Sequence, residues 1–101
     1  MRQVIVLSIK DFEEELAQVF SGLQIQVYSK VDIEGYKNAH HKVDVGNWFG
    51  GRSDTDFSVM FFMFVEDSQA DSIMEAMVEW NQTHDSAYPV HAFETGVIRT
   101  V

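Results

Sequence analysis

The chain has 101 residues, 46% of them apolar and 13% aromatic, which excludes a disordered chain. One domain, residues 1–101, is expected, with about two-thirds of its surface buried on folding. Sixteen acidic against seven basic side chains leave a net charge of -9, which argues against nucleic acid or an anionic membrane surface as partner, and the lack of cysteine excludes disulfides and thiolate sites.

Val4 to Ile9 is apolar except for Ser8 and reads as a strand buried on both faces. Its apolar run is too short to cross a membrane and no small-residue cleavage site follows, so a cytoplasmic location without membrane insertion is expected. Lys10-Asp11 opens a helix, with Asp11 as the expected cap, Glu14 at the capping-box position and Glu13 to Glu15 favouring the positive helix start. Phe12, Leu16, Val19, Phe20 and Leu23 form one apolar stripe, and Gly22 is a natural stop.

Residues 24–33 then alternate. Ile25, Val27, Val31 and Ile33 share one face and Gln24, Gln26, Lys30 and Asp32 the other, as in a half-exposed edge strand. A connection of about two dozen residues follows, from Glu34 to Asp56, where a median of about 4–6 would be usual. Such length points to binding, as do Tyr36, Trp48 and Phe49, which are costly to leave in water.

From Phe57 to Val65 eight residues of nine are apolar, and successive strand residues point to opposite faces. This strand must therefore be buried on both sides. The two helices are enough to cover one face, so the other requires a further protein chain, and an obligate oligomer is expected.

Ser68 with Asp71 forms the expected capping box of a second helix, lined by Ala70, Ile73, Met74 and Met77 with Val78 and Trp80 beside them. Asn81 to Tyr88 reads as a polar turn, Pro89 bars helix continuation, and Val90 to Val101 reads as a last strand interrupted by Gly96. The order βαββαβ predicts a ferredoxin-like α+β fold. It has a four-stranded antiparallel sheet, strands one and three at the centre and two helices on one face.

Lys37, Lys42 and Arg52 are the cations of the long connection, and with Arg99 they are the candidates for an anionic ligand or an acidic partner. Gly50-Gly51 can present backbone N–H groups to an anion. His40, His41 and Asp44 lie close in sequence, with His91 on the last strand. Imidazole and carboxylate suit Zn, Ni, Cu or Fe, although adjacent histidines diverge in regular structure and at most one of the pair can serve. No nucleophile elbow is present and no catalytic residue is assigned, so the chain is not expected to be an enzyme. His84, in the polar turn, is expected to be solvated.

The element order, the long connection and the ending Val90-His91-Ala92-Phe93 … Val97-Ile98-Arg99-Thr100 resemble the PII signal-transduction superfamily. The likeness is closest to its small PII-like members of unassigned role. Their connection carries glycines, histidine and a Trp-X-Gly turn, as in Gly35-Tyr36, His40-His41 and Gly46-Asn47-Trp48-Phe49-Gly50-Gly51 here. The resemblance implies a homotrimer with inward-facing sheets and a small effector, such as an adenine nucleotide, bound in clefts between subunits. It also implies a loop that engages a partner protein. On this basis Gly35, Tyr36, Lys37, Lys42, Trp48, Gly50, Gly51, Arg52 and Arg99 are the ligand-binding candidates, Arg99 matching a terminal phosphate-contacting arginine of the family.

The stretch matching the family's basic nucleotide loop, residues 81–88, has no lysine or arginine, so the usual ATP site is degraded. The cofactor stays open between a nucleotide and a divalent metal. Two alternatives share the architecture. One is a metal-homeostasis trimer resembling the CutA-type proteins, using His40, His41, Asp44 and His91. The other is a dimeric ferredoxin-like-barrel enzyme with His91 and Phe93 in an apolar pocket.

Overall fold

A computed structural model describes residues 1–36, 55–84 and 87–101, with the backbone alone for Thr55 and Asp56. Strand β1 (Arg2–Ile9) alternates in burial. Val4, Val6 and Ser8 are enclosed, while Gln3, Ile5 and Leu7 lie half-buried on the opposite face. Strand β3 (Thr55–Val65) pairs antiparallel with β1 so that Val6 meets Phe61 and Ile5 meets Phe62, which keeps the same division. Strand β2 (Ser29–Tyr36) adds to the other side of β3 and strand β4 (His91–Gly96) to the other side of β1. The order β2-β3-β1-β4 puts the two apolar strands at the centre, as expected.

Helices α1 (Glu13–Gly22) and α2 (Asp67–Thr83) cover one face. Leu16 and Phe20 from α1 and Ala70, Ile73, Met77 and Trp80 from α2 close over Val4, Val6, Val59, Phe61 and Met63. Phe20 meets Phe61 edge to face with ring centres 5.1 Å apart. No helix among the described residues is long and apolar enough to cross a membrane.

The helix starts differ from the sequence expectation. Lys10–Phe12 forms a turn of 3-10 helix, so Asp11 lies inside it and caps nothing, and α1 begins at Glu13 without a side-chain cap. Helix α2 is capped two residues before Ser68. The Gln69 side chain accepts the Glu66 N–H at 3.2 Å, giving a Glu66/Gln69 box in place of Ser68/Asp71.

The end of α1 corrects the second strand. The Gln24 N–H donates to the Ser21 carbonyl at 2.9 Å and the Ile25 N–H to the Phe20 carbonyl at 3.0 Å. This double closure needs a left-handed residue, here Gln24 at φ 62°. The turn drives Ile25 into the core beside Phe20, and the strand starts only at Ser29. Ile25 therefore does not share a sheet face with Val31 and Ile33.

Helix α2 runs on to Thr83, past the expected turn start at Asn81, and β4 ends at Gly96 rather than at Val101. Asn81 clasps the chain that leads to β4. Its Nδ2 donates to the Val90 carbonyl at 2.8 Å, and its Oδ1 accepts the Val90 N–H at 2.8 Å. Asn81→Ala removes both bonds at the buried Val90 and is expected to cost about 2 kcal/mol. Thermal unfolding followed by circular dichroism should show a Tm lower by roughly 8–16 °C for a domain of this size.

Candidate functional site

The sheet has one face without helices. The register puts Ile5 and Leu7 of β1, Val31 and Ile33 of β2, Met60, Phe62 and Phe64 of β3 and Phe93 of β4 on it. Val31 is 44% exposed, Phe64 56% and Phe93 40%, so apolar surface continues onto both edge strands. Strand β2 divides in the same way. Its helix-side positions are Lys30, Asp32, Glu34 and Tyr36, all exposed, while its apolar residues turn away from the helices.

Those charged positions are tied to α1. Lys30 Nζ lies 2.9 Å from Glu13 Oε1, Lys10 Nζ lies 3.3 Å from Glu13 Oε2, and Lys10 also pairs with Asp32. Asp32 holds the Lys10 ammonium above lysine's ordinary value, aided by Glu13 against partial desolvation. Lys30, and then Lys10, hold the Glu13 carboxyl below the usual carboxylate range. Farther along β2 the Tyr36 hydroxyl donates to Glu34 Oε2 at 2.6 Å, and that carboxylate pushes the phenol up. A cavity of about 380 Å³ opens here, lined by Lys10, Asp32, Ile33, Glu34, Phe57 and Ser58.

This is the end of the sheet from which the long connection leaves. Gly35 and Tyr36 close β2 opposite Asp56 and Thr55, so both belong to the ladder rather than to a loop; Gly35 is buried and Tyr36 is 68% exposed. Lys37, Lys42, Trp48, Gly50, Gly51 and Arg52 lie outside the described residues, as do His40, His41 and Asp44. Arg99 lies elsewhere, lining a groove of about 550 Å³ with Met1, Phe64, Val97, Thr100 and Val101. Phe64 and Phe57 are seven residues apart on β3, about 23 Å of strand. Within one chain Arg99 and the base of the connection thus sit at opposite ends of the sheet.

His91 is half-buried on β4 opposite Leu7, on the helix-free face. Among the described residues no group of three or more histidine, aspartate or glutamate side chains comes together in a way that could hold a metal. His84 is not simply solvated. Its ring stacks on Trp80 with centres 3.7 Å apart, Nδ1 lies 2.9 Å from the Trp80 carbonyl, and Nε2 is 3.7 Å from Glu15 Oε2. The i,i+4 spacing from Trp80 is the signal that could have found this pair.

No family model matches the chain, and no curated protein matches it. Solved structures do. A PII-like signalling protein from Thermus thermophilus superposes with a TM-score of 0.63 at 16% identity, over 93% of this chain and 83% of that one. CPII from Thiomonas intermedia, described as a nitrogen regulatory PII-like protein bound to ADP, AMP and bicarbonate, gives 0.61 at 13% identity, covering 99% of this chain and 94% of that one. A DUF3240 family protein from Shewanella baltica gives 0.65 at 13% identity over 99% and 93% of the two chains. At these identities the likeness speaks to the fold, and on that level it agrees with the resemblance carried by the sequence: the chain has the ferredoxin-like fold of the PII-like signalling proteins.

Proposed function

We propose that this chain is a PII-like sensor that assembles as a homotrimer in the cytoplasm. It binds a small effector between subunits at the loop-bearing end of the sheet and presents the connection between β2 and β3 to a partner protein. The observation that carries this reading is the apolar, helix-free face that runs from Val31 through Phe62 and Ile5 to Phe93. Both helices lie on the opposite face, which supports a second layer supplied by other copies. Copies related by a threefold axis cover this face without leaving it open to further growth.

Lys37, Lys42 and Arg52 in the connection are the countercharges for an anionic effector, and Arg99 of a neighbouring copy is the candidate fourth. The ligands described for the Thiomonas protein make ADP, AMP and bicarbonate the first probes. In size-exclusion chromatography with light scattering the protein should have three times the mass of one chain. At least one probe should raise its Tm in a concentration-dependent manner. A single-chain mass at micromolar concentration would overturn the assembly and the inter-subunit site together.

A further inference from the structure

The cavity at the loop-bearing end of β2 carries charges of both signs beside an apolar wall. Lys10 contributes an ammonium, Asp32 and Glu34 contribute carboxylates, and Phe57, opposite Glu34 on the same sheet face and 67% exposed, forms the apolar wall. The cavity volume of about 380 Å³ falls at the small end of the roughly 300–1,000 Å³ common for small-molecule sites.

We propose that this cavity binds a small zwitterion of the α-amino acid class, its carboxylate accepting from Lys10 Nζ, its ammonium donating to Asp32 and Glu34, and its side chain resting on Phe57. The charge pattern selects this class. A simple anion reaching Lys10 would stand beside Asp32, Glu34 and Glu13, three like charges. A simple cation would compete with Lys10 for Asp32 and leave that ammonium with Glu13 alone. A zwitterion inserts into the Lys10–Asp32 pair and replaces one ion contact by two, so no charge is left without a counterpart. Insertion also loosens the tie between β2 and the turn before α1, and β2 is the strand from which the long connection leaves. This inference rests on the reading of that end of the sheet as the effector site.

The test is titration calorimetry and thermal shift on the full chain with glycine, L-alanine, L-glutamine and L-phenylalanine, against propylamine and propionate at equal concentrations. Saturable binding of amino acids, but of neither single-charge analogue, is expected. Lys10→Met and Asp32→Asn should each weaken it tenfold or more, and Glu14→Gln, on the exposed face of α1, should not. Phe57→Ala, at an exposed position where truncation leaves the core intact, should weaken L-phenylalanine more than glycine. Silence toward every amino acid, equal binding of an analogue, or affinity unchanged in Lys10→Met and Phe57→Ala overturns the proposal. Light scattering on the same samples separates the two readings. A trimer that ignores amino acids sinks the zwitterion site alone, whereas a monomer sinks the sensor assembly.

Discussion

Phe62→Lys is expected to convert the proposed trimer into a folded single chain. Phe62 points away from both helices, with Ile5 and Ser29 opposite it on the flanking strands and Met60 and Phe64 two residues away on its own face. In the isolated subunit an ammonium here stands in water, and the cost is the loss of strand propensity, under about 1 kcal/mol. In the assembly the same ammonium would be enclosed among apolar side chains without a partner, a penalty of several kcal/mol for each copy. The two states therefore respond very differently to one substitution. Light scattering should give the mass of one chain for Phe62→Lys and three for the native protein, with far-UV circular dichroism unchanged. Phe62→Leu, which keeps the face apolar, should still assemble. A Phe62→Lys protein that retains the native mass would show that copies meet elsewhere.

The architecture is legible because two of its strands violate the usual alternation. Val4–Ile9 and Phe57–Val65 are apolar at nearly every consecutive position, and that pattern alone places them at the centre of the sheet. What the pattern misses are events that break periodicity. The alternation of Ile25, Val27, Val31 and Ile33 looks continuous in sequence, yet the left-handed Gln24 turns Ile25 into the core before the strand begins. Ser68 with Asp71 fits the commonest capping pattern, but Glu66 and Gln69, two residues earlier, have the same spacing and take the position.

The site is less legible, for reasons of distance. In sequence Asp32 has the look of a solvated position on an edge strand, and its partner Lys10 is 22 residues away. Glu13 reads as a helix-start acid, and its links to Lys10 and Lys30 depend on how α1 packs beside β2. His84 is within reach of sequence reasoning, four residues after Trp80. A helix end at Asn81 would leave it in a turn, whereas the helix runs to Thr83 and carries the ring onto the indole. Gly35 and Tyr36 are the members of the connection's candidate set on which the described residues bear.

Phe61→Ala should do what Phe62→Lys does not. One residue along the same strand the side chain faces the helices, with no exposed surface, 5.1 Å from the Phe20 ring and 5.8 Å from the Tyr28 ring. Those contacts join α1, the segment before β2 and the central strand, and close packing leaves the neighbours little freedom to collapse into the space. The loss should be about 3–5 kcal/mol, transfer and cavity terms together, a large part of the roughly 5–15 kcal/mol that holds a domain folded. Denaturant unfolding should show the midpoint falling at every protein concentration. For Phe62→Ala the deficit should instead depend on concentration, because in the proposed trimer that side chain acts through association. If both alanine variants lost stability in the same concentration-dependent way, the strand would not have two separate dry faces. A core loss at Phe61 and an assembly loss at Phe62, from adjacent residues, is the signature that a sheet apolar on both sides requires.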